Sequence, residues 1–133
     1  MSLIQQLLLW GACLISSLAY AHDGAHAEQG VWHKIPLIVK WDSNWPTEHC
    51  IEILESLVLK YSWVADSAMK YDLHVHPNNK NNEYQTNYFS KSDSIKAEVG
   101  EVITKKPGTY CFNFDPVKRL TSNGKIELSY LLD

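Results

Sequence analysis

The chain has no basic run, no C-x-x-C pair, no glycine-rich phosphate loop and no charged side chain before Asp23. Each absence removes a class of function. Without clustered Lys or Arg there is no electrostatic footprint for nucleic acid or anionic lipid, and the net charge is a mild −3. Without C-x-x-C, zinc-ribbon and thioredoxin-like sites are not expected. Without a Gly-rich loop, nucleotide phosphates find no cradle. No serine stands in a G-x-S-x-G elbow. Carboxylate pairs such as Glu98 and Glu101, or Asp66 and Asp72, sit in ordinary surface context. An enzyme is therefore not expected, and a hydrolase is the last of the readings entertained. No segment sustains a helical period over three turns, which turns attention to strands.

Between Leu7 and Ala21 the only polar side chains are Ser16, Ser17 and Tyr20. An apolar core of this length before Ala19-Tyr20-Ala21 matches a secretory signal peptide, with cleavage before His22. Ala25-His26-Ala27 offers a second cleavage site, before Glu28. A retained anchor is the alternative, although the run is shorter than the roughly 20 residues a spanning helix needs. The expected organisation is signal peptide 1–21, a flexible His-containing lead-in 22–30, and one domain over 31–133. Removal of 21 residues leaves 133 − 21 = 112, enough for a single compact domain. The expected location is the periplasm or the extracellular medium, with no stable membrane insertion after cleavage.

Cys13 belongs to the excised segment, which leaves Cys50 and Cys111. An even pair in an oxidising compartment points to a disulfide. It would close a loop of roughly 60 residues and contribute about 4 kcal/mol on the chain-entropy model. Two buried thiols or two metal ligands are the alternatives.

The rest of the chain alternates. Leu57, Leu59, Tyr61, Trp63 and Ala65 oppose Val58, Lys60, Ser62 and Val64. Tyr71, Leu73 and Val75 oppose Asp72, His74 and His76, and Pro77 ends that run. Tyr110, Phe112 and Phe114 oppose Cys111 and Asn113. In "VWHKIPLIVKW", Trp32, Leu37, Val39 and Trp41 are expected to pack, and Pro36 marks an edge strand or a bulge. "SAM" at 67–69 reads as a short connection, "EYQTNYF" as a strand, and "SIKAEVGEVIT" is ambiguous. Asn123-Gly124 is the strongest hairpin signal, followed by Ile126, Leu128, Tyr130 and Leu132 on one face. Seven or eight short strands with frequent turns predict an all-β domain, a single antiparallel β-sandwich. Trp41, Trp63, Tyr71, Phe112 and Phe114 are the expected aromatic core.

The order "EHCIEIL", "LVLKYSWVAD", "YDLHVHP", a polar loop and then "PGTYCFNF" resembles the GOLD domain, and is similar to the bacterial pre-peptidase C-terminal type of β-sandwich, over residues 48–133. The resemblance implies a binding fold with no catalytic residues to transfer. It also implies a disulfide between two cysteines at places comparable to Cys50 and Cys111, with Gly108 and Tyr110 leading into a core strand. No coiled coil or transmembrane helix follows the strands, so a cargo-receptor role is not carried over.

Chemistry is expected at His74 and His76. Residues i and i+2 of a strand point the same way about 6.7 Å apart, close enough for two imidazoles to converge on one ion. Imidazole suits copper and zinc. Asp72 continues the same face. His22 would add an amine and an imidazole if cleavage exposes it as the N-terminus. His26, His33, His49 and Met69 are further candidates for a third ligand. Two readings result. One is a small exported non-enzymatic domain that binds copper or zinc through His74, His76, His22 and Asp72. The other is a metal-free module that binds another exported protein. Trp32, Trp45, Tyr84 and Tyr88 would suit such a partner, although core or rim packing is the more frequent explanation for such aromatics.

Overall fold

The computed structural model describes residues 25–78 and 86–133. The expected signal peptide, His22 and Tyr84 lie outside the described residues. Among the described residues there are seven strands: β1 (Ala25–His26), β2 (His33–Val39), β3 (Thr47–Ile53), β4 (Val58–Pro77), β5 (Asn87–Ile103), β6 (Gly108–Pro116) and β7 (Gly124–Leu132). No helix occurs among the described residues. The all-β class expected from the alternation is therefore what the chain adopts.

The ladders run in the order β1-β3-β6-β4-β7-β2, with β5 added to β4. All pairings are antiparallel except the two-residue contact of β1 with β3. The hydrogen bonding joins every strand into one sheet, curled into a half-barrel, without a break that would divide it into two packed layers.

β4 makes that continuity possible. Its first half pairs with β7, Leu59 opposite Leu132 through Ala65 opposite Ile126. Its second half pairs with β6, Met69 opposite Pro116 through Pro77 opposite Gly108. β5 accompanies both halves on the other edge, and its register shifts between Val64 and Met69. Extra residues on one strand bend it and increase its twist, which curls the sheet around its inner face. Residues 67–69, expected to be a connection between two strands, lie instead inside this single irregular strand. The ambiguous segment 94–104 belongs to β5 up to Ile103.

The inner face carries the core. Leu59, Tyr61, Trp63, Tyr71, Leu73, Val75, Tyr110, Phe112, Phe114, Ile126, Leu128, Tyr130 and Leu132 are all buried. Trp63 meets Phe114 edge-on at 5.0 Å and Tyr71 at 4.8 Å between centroids. Offset and edge-to-face aromatic pairs add about 0.5–1.5 kcal/mol each beyond the area they bury.

Trp32 and Trp41 do not pack as expected. They are 53% and 47% exposed, because both lie just outside the ends of β2, beyond its ladder with β7. Pro36 sits on β2, the last strand of the order, where a missing N–H is tolerated. Asn123-Gly124 does not join two paired strands. β6 and β7 are not neighbours. Gly124 instead pairs with Val39, and the Asn123 side-chain oxygen accepts a hydrogen bond from the Trp41 N–H at 3.2 Å.

Candidate metal centre

Cross-strand register assembles the polar outer face opposite the core. Directly opposed residues share a face. Cys50 on β3 faces Cys111 on β6, Cys111 faces His74 on β4, and His74 faces Tyr88 on β5. One step away, Glu48 faces Asn113, and Asn113 faces Asp72. The site is thus the middle of a sheet, on strands whose inner sides are locked into the core.

His74 is 7% exposed, unusual for a histidine on an outer face. Both of its nitrogens have partners. Nδ1 lies 2.5 Å from Asp72 Oδ1, and Nε2 lies 3.1 Å from His76 Nε2. Asp72 is itself held, since the Asn113 side-chain amide donates to Oδ2 at 3.0 Å. His76 is exposed, and its Nδ1 lies 3.3 Å from Thr86 Oγ1. The two rings meet edge to face with centroids 4.7 Å apart. The Tyr88 ring lies 5.8 Å from His74 and carries the Lys91 ammonium 4.7 Å above it.

This pattern decides how protons sit. Nδ1 of His74 faces a carboxylate, and a carboxylate only accepts, so Nδ1 carries its hydrogen. With Nδ1–H donated to Asp72, neutral His74 presents a lone pair at Nε2. His76 turns its own Nε2 to the same point. At 3.1 Å the two nitrogens are joined by an N–H···N hydrogen bond when His76 carries its proton on Nε2, and a metal ion can take the place of that proton. Two nitrogens bound tetrahedrally at 2.0–2.1 Å stand about 3.3 Å apart, close to the separation here. A carboxylate on the far nitrogen of a ligating histidine fixes its tautomer and raises its basicity.

Asp72 therefore holds His74 through Nδ1 rather than standing beside it as a third ligand. The other candidates are elsewhere. Met69 is fully buried in the core. His33 stacks on Tyr130 at 4.9 Å, and its Nε2 lies 2.8 Å from the Glu28 carbonyl. His49 turns inward toward Tyr130 at 5.8 Å, and burial lowers its pKa. His26 pairs with Glu52 at 3.6 Å on the β1–β3 edge. The group the fold does bring to the pair is Cys111. Its sulfur and ligand nitrogens of His74 and His76 lie within 4.8 Å of one another.

Cys111 is bonded to Cys50, and the two Cα atoms are 4.1 Å apart across the β3–β6 ladder. The disulfide is consistent with an oxidising location. Glu48 and Cys50 form a second cluster around the same bond, with the Glu48 carboxylate 2.9 Å from Cys50 Sγ. Sequence reasoning missed Cys111, Thr86 and Asn113 as neighbours of the histidines. Strand register alone carries that information. Among known proteins, no family model matches the chain and no curated sequence matches it.

Proposed function

We propose that this protein is a small exported, non-enzymatic binding domain that holds a copper or zinc ion through Nε2 of His74 and Nε2 of His76. One observation carries the reading: both imidazoles aim Nε2 at a common point while oxygen partners occupy both Nδ1 atoms. Such preorientation removes the cost of ordering two rings when the ion arrives. Two protein ligands leave coordination positions open for water or an exogenous ligand, as in a carrier or a sensor. An apolar N-terminal stretch and a disulfide support placement in the periplasm or outside the cell.

Titration of the secreted domain with Cu(II) and Zn(II), beside a His74→Ala/His76→Ala variant, tests the reading. Binding that the variant loses supports it. Equal binding by both proteins removes it. Mass spectrometry of the secreted protein places the N-terminus and tells whether His22 begins the chain.

A metal-free interaction module is the second reading. Its support lies on the outer face of the β4–β5 ribbon, where Val64, Val99 and Ile103 are exposed, Val99 by 84%. Val99→Lys would then abolish capture of an exported partner while leaving metal binding unchanged.

A further inference from the structure

The disulfide sits against the histidine pair, so one of its sulfurs is a ligand in waiting. We propose that Cys111 is the third ligand of this centre, released when the Cys50–Cys111 bond is reduced, and that reduction converts a two-imidazole site into a His2Cys site for a thiolate-binding ion such as Zn(II) or Cu(I). The inference rests on the two-imidazole reading above.

Three observations carry it. Cys111 faces His74 directly across the β6–β4 ladder, and the three ligand atoms lie within 4.8 Å. Bound to one tetrahedral ion, sulfur and nitrogen would stand about 3.5 Å apart, given metal–sulfur and metal–nitrogen distances near 2.3 and 2.0 Å. Rotation of a freed Cys111 side chain covers that difference. The backbone there is held by Tyr110 and Phe112 on either side, both fully buried. The second observation is the asymmetry of the two cysteines. Cys111 is buried and Cys50 partly exposed. An attacking thiolate therefore reaches Cys50, and Cys111 is the leaving group. The third is Glu48, 2.9 Å from Cys50 Sγ. It accepts a hydrogen bond from a Cys50 thiol and keeps that sulfur on the β3 side, leaving Cys111 to the histidines.

The chemistry balances with a dithiol reductant. One of its thiolates bonds to Cys50 Sγ, and the S–S bond breaks with its electron pair on Cys111. The reductant's second thiolate then closes its own disulfide and expels Cys50, which takes up a proton. The dithiol supplies two electrons and two protons. One proton ends on Cys50, and the other goes to solvent as Cys111 binds the ion as a thiolate.

The test uses Co(II), whose bond to a thiolate gives a charge-transfer absorption that imidazole does not, and Zn(II) competition for affinity. The proteins are the secreted wild type, oxidised or reduced by a phosphine that is removed before titration, and C50S, C111S and C50S/C111S. C50S and C111S lose the same disulfide, but only C50S retains the proposed ligand. Reduced wild type and C50S are expected to show the charge-transfer band and to bind Zn(II) at least tenfold more tightly than the oxidised protein. C111S and the double variant should show neither, and adding H74A/H76A to C50S should erase the gain. Absence of the band in C50S, or an equal gain in C111S, overturns the proposal. If oxidised wild type still binds Co(II) through His74 and His76 in that case, the two-imidazole reading stands alone. If H74A/H76A binds as wild type does in both redox states, both readings fall.

Discussion

His49 and His74 lie on nearby strands of one sheet and face opposite ways. His49 points into the half-barrel, where its Nε2 has no hydrogen-bond partner among the described residues and Tyr130 is its aromatic neighbour. His74 points outward, is 7% exposed, and has partners at both nitrogens. Burial treats the two differently. An unpartnered imidazole in an apolar setting is held neutral, because nothing compensates the lost hydration of a charge. A partnered one, supported by Asp72 and Asn113, keeps a fixed orientation. Burial without partners makes a packing residue, and burial with partners gives a ring of fixed orientation that suits the metal role proposed above.

The largest expected effect lies on the inner face. Phe112→Ala should destabilise the domain by about 3–5 kcal/mol, read as a fall in the urea midpoint, because it leaves a cavity among Tyr61, Tyr130 and their neighbours. His76→Ala on the outer face should stay within about 0.5 kcal/mol of wild type by the same measurement. Comparable losses would erase the contrast between the faces. Replacing both cysteines with serine should cost about 2–4 kcal/mol, since the cross-link spans 61 residues. That would make the disulfide the outer face's main contribution to stability.

Gly108→Ala joins the two faces. A Cβ at Gly108 would collide with the His76 backbone oxygen and press on Pro77 Cα at 2.9 Å. A stability loss of about 1–3 kcal/mol is expected from such overpacking, together with weaker metal binding as the His76 backbone shifts. Unchanged affinity would show that His76 is not positioned by this ladder. Asp72→Asn should leave the urea midpoint nearly unchanged and lower metal affinity about 10–100-fold, the usual consequence of losing the carboxylate behind a ligating histidine. An unaltered affinity would demote Asp72 to an ordinary surface acid.

The smallest effect is pH-dependent. The pKa of His49 is lowered in the folded state by desolvation, so the unfolded chain binds more protons as pH falls below the usual imidazole value of about 6.5. His49 therefore contributes stability that is fully present above that value and is lost as pH falls through it toward the folded pKa. His49→Leu should flatten this part of the stability–pH curve, and an unchanged slope would assign it to other groups.

Much of the fold was legible because side chains of a strand alternate. The row Leu59, Tyr61, Trp63, Ala65 and the row Ile126, Leu128, Tyr130, Leu132 are buried as their period predicts. Aromatic identity alone was a poorer guide, and Trp41 shows why: outside the ladder, alternation no longer says which way a side chain points. Asn123-Gly124 looked like a hairpin because local turn chemistry carries no knowledge of which strands pair. β7 finds β2 and β4, both distant in the chain. The bend in β4 was hidden for the same reason, since a bulge needs a partner strand to be defined.

His74 and His76 were visible as a pair because a single strand places i and i+2 on one face. Most of what surrounds the pair came from elsewhere in the chain: Asn113 behind Asp72, Thr86 behind His76, and Cys111 opposite His74. The amino-acid sequence by itself determined the strand period, the inward aromatic rows, the cysteine pair and the histidine spacing, all of which depend on a few successive residues. Only the tertiary structure decided the single curled sheet, the inward turn of His49 and the meeting of the histidines with the disulfide. Those depend on register between strands far apart in the chain, set by how the whole inner face packs at once.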